Sequence, residues 1–517
     1  MIKFLTGLVF GCLFLTALPG FSQDSLPPGT YRPGFHFTPK KNWMNDPNGL
    51  VYYQGSYHLF FQYNPYGNQW GHMSWGHAVS TDLFHWKQLP VALREEKDSR
   101  DPDTTMIFSG SMVIDKNNTS HLFADSTGGG MVAIYTGHVH NNQKPVVQNQ
   151  DIAFSDNGGN TWTKYPGNPV LTIHSTEFRD PKVFWYAPLK KWIMLVSKPD
   201  QHEIWFYASR DLKNWKFQSS FGKMGDTSLV WECPDMYSLS TNDGTGITRW
   251  VLSVSSGNPH KGFRGMEYFV GNFNGIRFVP DRQPYPRYVD YGKDYYAGVT
   301  YNNLPAGDGR TIMIGWADNW NYAADLPTRG FRGIFALPRS LTVKKISGSY
   351  QLVQQPVKEL DQLHGKLHIV EERTLENDSV RLGFSGNSLD IRLQITPAES
   401  GIAGIKLLEN GTSSTVLSFD RKAEILTLDR SNSGYTDFNK DFPGIDSVKL
   451  PPLSASVNLR IIVDKCILEV FINDGEATLT DLVYPRGTDN HISLFSTGGK
   501  TTFSEIKWYR VNPSMND

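Results

Sequence analysis

The chain has 517 residues, 50 lysines and arginines against 51 aspartates and glutamates, a net charge of −1 and 3 cysteines. At roughly 150 residues per domain, this length predicts two or three domains with ample core. The balanced charge argues against a nucleic-acid face, the ordinary hydrophobic share excludes wholesale disorder, and no internal apolar run suits a polytopic membrane protein.

At the N-terminus Lys3 precedes the apolar run Phe4–Leu18, and Pro19-Gly20-Phe21-Ser22-Gln23 follows. A charge, a short apolar run and a small-residue zone read as a secretory signal peptide over 1–23, cleaved near Gln23. The run is too short to span a bilayer comfortably, so an exported protein, periplasmic or secreted, is expected. Cleavage removes Cys12. Cys233 and Cys466 are too few and too far apart in sequence for a disulfide framework, and with no C-x-x-C a structural zinc site is not expected.

Residues 24–340 contain short strand-like segments divided by Gly, Asn, Asp and Pro, with little helical periodicity. A degenerate repeat runs through them. Ala78–Asp82 leads to Trp86, Ala153–Asp156 to Trp162, Ala208–Asp211 to Trp215, and Phe269–Gly275 to Phe278. Each reads as strand, polar hairpin turn, and strand opened by an aromatic. The turn positions 82, 156, 211 and 274 lie 74, 55 and 63 apart, a spacing suited to four-stranded propeller blades with variable loops. The expected fold class is therefore all-β: a five-bladed β-propeller, a connector over 341–360, and a second domain over 361–517. In that second region seven alternating segments, from Leu367–Glu371 to His491–Phe495, predict a β-sandwich. Within it Glu469 falls on the face opposite Leu468 and Val470 and reads as a solvated residue.

Three carboxylates stand in unusual surroundings: Asp46 in Trp43-Met44-Asn45-Asp46-Pro47-Asn48-Gly49, Asp180 in Phe178-Arg179-Asp180-Pro181, and Glu232 in Trp231-Glu232-Cys233-Pro234. Each precedes a hairpin repeat, which places it at the start of a different blade, where the first strand lines the central channel. Phe108-Ser109-Gly110 and Ile314-Gly315-Trp316 take the corresponding places in two further blades. Taken singly, an Asp-Pro pair is most simply a turn, and Arg179–Asp180 a structural ion pair; their joint placement points to one acidic funnel. Paired carboxyls are the equipment of glycoside hydrolysis, and the many aromatics (14 Trp, 23 Tyr, 30 Phe) suit a sugar platform. Arg179 is expected to keep Asp180 ionised, and the apolar neighbours of Glu232 to raise its pKa. Cys233 reads as a buried small residue, and His72 and His77 as structural rather than metal ligands. No phosphate-binding or dinucleotide fingerprint and no G-x-S-x-G occurs.

Trp43–Gly49, Phe60–Pro65, Phe108–Gly110, Arg179–Pro181 and Glu232–Pro234, in that order, resemble glycoside hydrolase family 32, the family of invertases, inulinases and levanases. The resemblance runs from about Phe35 to the C-terminus and includes the Asp464–Gly475 strand. It implies a five-bladed propeller with a β-sandwich, and a retaining hydrolase that releases terminal β-D-fructose from fructans and sucrose through a fructosyl-enzyme. Asp46 is then the nucleophile, Glu232 the acid/base and Asp180 the stabiliser of the transition state, while Asn45, Gln62, Trp70, Phe108, Ser109, Arg179 and Trp316 line the fructose subsite. No metal or organic cofactor is implied, and the only partner implied is the sugar substrate. Gly315–Tyr322 followed by Leu326-Pro327-Thr328 resembles the exo-acting branch, with Asp318 and Arg329 departing from its commonest forms. An endo-acting enzyme with the same acids, and a non-catalytic fructan-binding propeller, are the alternatives.

Overall fold

A computed structural model describes residues 30–97, 103–124, 129–241, 245–451, 455–487 and 490–515. The signal segment expected over 1–23 lies outside the described residues. No helix among the described residues is long and apolar enough to cross a membrane.

Five mainly antiparallel sheets form the first region, and each contributes one strand that lines the centre. These inner strands are Asn42–Tyr53, Asp103–Asp115, Arg179–Tyr186, Glu232–Ser240 and Tyr296–Thr300. Consecutive inner strands touch one another around a closed ring, the fifth returning to the first. The short strand Phe331–Arg332 pairs parallel to Asn42–Trp43 and adds backbone bonds where the last blade meets the first. Closing a ring of sheets leaves only short edges to be protected.

The sequence repeat is the turn between the third and fourth strands of the first four blades. Asp82, Asp211 and Asn274 each accept backbone N–H bonds from the residues two and three positions on. Trp86, Trp162 and Trp215 each donate their indole N–H to the carbonyl three residues back. Local side-chain bonding thus sets the turn, and the tryptophans pack, partly buried, against the core.

Two expectations are corrected here. The fifth blade opens at Tyr296, and Ile314-Gly315-Trp316 belongs to its second strand, Thr311–Trp316. Residues 341–356 are not a connector: Arg339–Ile346 and Ser349–Pro356 are the outer hairpin of that blade. The short 3-10 turn Lys358–Leu363 leads onward, with Leu360 and Leu363 buried.

The second region is a sandwich of a seven-stranded and a six-stranded antiparallel sheet. Leu468, Val470 and Ile472 enter its core with Leu389, Ile391, Ile405 and Leu494. On the other face of that strand, Ile467 and Phe471 pack with propeller residues such as Tyr295 and Trp316. Glu469 lies on this second face, and the solvated role expected for it is corrected: it is 1% exposed. It accepts bonds from Arg339 Nη2 (2.6 Å), the Leu337 N–H (2.6 Å) and, at 3.0 Å, His36 Nε2. Alternation assigned the face correctly, but that face meets the propeller instead of water.

Candidate active site

All five inner strands carry one extra residue near their start, so that three residues span two on the neighbouring strand. The bulges fall at Met44–Pro47, Ile107–Gly110, Arg179–Lys182, Glu232–Asp235 and Tyr296–Val299. A bulge turns side chains out of the alternating pattern. Pro47, Pro181 and Pro234 sit in or beside these bulges on edge-lining strands, where no ladder N–H is required. This is the physical reason for the recurring acid–Pro motif. Asp180 and Cys233 take positive φ angles of 66° and 45° there.

The three acids do not occupy one equivalent position, as expected from the repeat. Glu232 is the first residue of its bulge, Asp180 the second and Asp46 the third. They nevertheless line one cavity of about 240 Å³, together with Asn45, Gln62, Trp70, Phe108, Ser109, Arg179, Tyr296 and Trp320. Trp316 is absent from that lining: it is fully buried and packs behind Trp320 at 4.9 Å between ring centroids. Trp70, nearly half exposed, stands edge-on to Phe108, which stacks flat on His138.

Asp46 is held by donors on both oxygens. Asn45 Nδ2 donates at 3.0 Å to Oδ1, and Ser109 Oγ at 2.6 Å to Oδ2. Asn45 is itself fixed by the indole N–H of Trp43 at 2.8 Å. Burial raises the Asp46 pKa, partly opposed by these bonds. Asp180 accepts the Cys233 N–H at 2.9 Å, while its own N–H donates to Thr136 Oγ1. The Cys233 thiol lies 3.5 Å from Asp46 and 3.6 Å from Asp180, so it bridges the two acids. Both Cys233 and Cys466 are buried and free.

The charge assignments of Asp180 and Glu232 are the reverse of those expected. Arg179 turns away from its chain neighbour and donates Nε and Nη2 to Glu232 at 3.1 and 2.9 Å. Arg264 Nη1 donates to the other oxygen at 2.8 Å, and the Tyr296 hydroxyl joins it there. Burial raises the Glu232 pKa, but the two guanidiniums and these bonds outweigh it and hold the carboxyl below its usual value. Burial, with the charges of Glu232 and Asp46, pushes Asp180 up to about 7 against the opposing Arg179.

Sequence reasoning missed Tyr296, Arg264 and Trp320. Tyr296 was findable as the start of a fifth inner strand 64 residues after Glu232. Arg264, opening the third strand of blade 4, carries no motif. His77 bonds His58 at 3.0 Å and His72 pairs with Glu95, both as polar packing.

Carboxyls, amides and aromatic walls gathered at the mouth of a propeller define a sugar-processing site, and the chain is a glycosidase. The model of the glycosyl hydrolases family 32 N-terminal domain matches residues 36–356, and that of the family's C-terminal domain matches residues 357–510. The chain belongs to glycosyl hydrolase family 32. It is 42% identical over 492 residues to a levanase of Bacillus subtilis, covering 93% of this chain and 70% of that one. It is 37% identical over 517 residues to an extracellular exo-inulinase of Aspergillus awamori, covering 94% and 95% respectively. A crystal structure of exo-inulinase from Aspergillus awamori superposes with a TM-score of 0.87 at 36% identity, over 94% of this chain and 99% of that one.

Proposed function

We propose that this chain is an exported exo-fructosidase that removes terminal β-D-fructose from levan- or inulin-type fructans, and from sucrose as a lesser substrate, with retention of configuration. The carrying observation is the cavity: three carboxyls and two tryptophans line a pocket of about 240 Å³, of a size to seat one hexose unit among the acids. The curated relatives described as levanase and extracellular exo-inulinase support the substrate class and the export.

Asp46 attacks the anomeric carbon of fructose, and Glu232 gives its proton to the departing oxygen. Glu232 then takes a proton from water, which cleaves the fructosyl–Asp46 ester. Asn45 and Ser109 hold Asp46 in line for attack. Asp180, with Gln62 and the wall residues, binds ring hydroxyls and stabilises the developing positive charge. In the free site Glu232 is held ionised by its two arginines, and Asp180 is the acid pushed up to about 7. The first step requires the site's proton on Glu232 and not on Asp180.

Asp46→Ala and Glu232→Ala are expected to lower fructose release by two or more orders of magnitude with unchanged melting temperature. Near-wild-type turnover in either variant contradicts the assignment. The last proton leaves the free site near the pKa of about 7 at Asp180, so kcat/KM is expected to fall as pH rises through 7. A profile flat to pH 9 contradicts this proton assignment.

A further inference from the structure

The inner strands run from the catalytic mouth to the opposite face of the propeller, and a second cavity opens at that far end. It is lined where three inner strands finish: Val113–Asp115 in blade 2, Phe184 and Trp185 in blade 3, and Asn302–Asn303 just beyond blade 5's inner strand. Ile114 lies five residue steps along the strand from Ser109, which at ~3.3 Å each places the cavity about 16 Å from the serine that bonds Asp46. Its volume is about 450 Å³. The mechanism does not use it, although Asn302 and Asn303 in its wall also tie blade 5 to blades 1, 2 and 3.

Its chemistry is that of a sugar site. Trp185 is 39% exposed and stands edge-on to Trp192 at 5.0 Å. The indole N–H of Trp192, the ring Trp185 rests against, is fixed by Thr119 Oγ1 at 2.9 Å. Asp115, the one acid in the lining, is consumed by Thr119 and Ser120, which leaves the wall without a free carboxylate. The amides of Asn302 and Asn303 donate to backbone carbonyls of Met112, Val183 and Tyr52. Their side-chain oxygens accept no hydrogen bond from the described residues, which leaves two amide acceptors for a hydroxyl-bearing ligand. Lys116 is exposed at the rim. A fixed aromatic face beside preset amide acceptors matches a neutral, hydroxyl-rich chain.

We propose that this cavity is a second, non-catalytic carbohydrate site that holds a segment of the fructan whose ends the catalytic cavity trims. The inference rests on the fructan reading above. Tethering raises the effective concentration of chain ends without touching the chemical step, so it acts on polymers and not on sucrose.

The test is electrophoresis through native gels containing levan or inulin, in an Asp46→Ala background that prevents digestion. The Asp46→Ala protein is expected to be retarded, and adding Trp185→Ala to weaken the apparent affinity at least about threefold, the scale of one lost aromatic contact. Adding Trp185→Phe, which keeps a ring, is expected to retain most of the retardation. In the otherwise unaltered enzyme, Trp185→Ala is expected to raise KM for the polymer and leave kcat/KM for sucrose within a factor of about two. Equal retardation with and without Trp185→Ala overturns the second site while leaving the catalytic reading intact, provided the unaltered enzyme releases fructose. Absence of fructose release from levan, inulin and sucrose alike overturns both.

Discussion

Ser109 and Arg179 divide the work among three carboxyls that start with similar acidity. The Ser109 hydroxyl stabilises the ionised form of Asp46, so Ser109→Ala is expected to raise the Asp46 pKa. The acid limb of kcat/KM then moves to higher pH, and kcat/KM at its optimum falls about tenfold, the worth of one hydrogen bond to a charged group. An unmoved acid limb in this variant contradicts the hydrogen bond's role. Asp46, Asp180 and Glu232 were legible because rare acid–Pro and acid–Cys-Pro motifs recur at blade spacing. Their charge states were not legible. Arg179 precedes Asp180 in sequence, but the bulge aims it across to Glu232 of the next blade, and a contact between blades leaves no local trace.

Each inner strand's bulge is the element that delivers the site. In blade 2 it is pinned by Gly110, where an added Cβ would lie 2.1 Å from the Ile134 carbonyl and 2.7 Å from the Tyr135 Cα. Both obstacles are backbone, so neither swings aside. Gly110→Ala is therefore expected to cost about 1–3 kcal/mol of stability and, by displacing Ser109, to lower kcat/KM as well; unchanged melting temperature and activity contradict the account of this bulge. Four third-to-fourth-strand turns were readable from their Asp, Asn and Trp signals. The fifth was not, because its turn, Ile346-Ser347-Gly348-Ser349, has neither an Asp nor an Asn. Lacking that signal, the last hairpin reads as a connector and the blade's start slips by one strand. The family resemblance put Trp316 in the expected subsite, whereas Trp320, four residues on, is the one that lines the cavity.

At the scale of the whole molecule, the sandwich is joined to the propeller by buried ionic groups as well as apolar contact. Arg339, in the fifth blade, pairs with Glu469 and Asp290, and His36 bridges Glu469 and Asp464. Asp464 also accepts three backbone N–H bonds from Gly34, Phe35 and His36. Breaking a buried pair by removing one charge leaves the other uncompensated, so Glu469→Gln is expected to destabilise by about 3 kcal/mol or more, read as a lower melting temperature. Burial alone lowers the His36 pKa, but its two carboxylate partners outweigh it and raise it to about 9. A raised folded pKa contributes stability that is complete below the unfolded value near 6.5 and is lost as pH climbs through about 9. The wild-type melting temperature is therefore expected to fall between pH 7 and 10 more steeply than that of His36→Gln, and parallel curves contradict the role of the bridge. This interface was invisible in the sequence because alternation identifies the two faces of a strand but not what a second domain lays against them.

The central claim is that this propeller trims single fructose units from chain ends. Its most direct test is chromatography of the earliest products from purified protein incubated separately with levan, inulin and sucrose. Free fructose as the sole new product from a fructan, present from the first time point, is the predicted result. Oligosaccharides appearing ahead of fructose, or no product from any of the three, would contradict it.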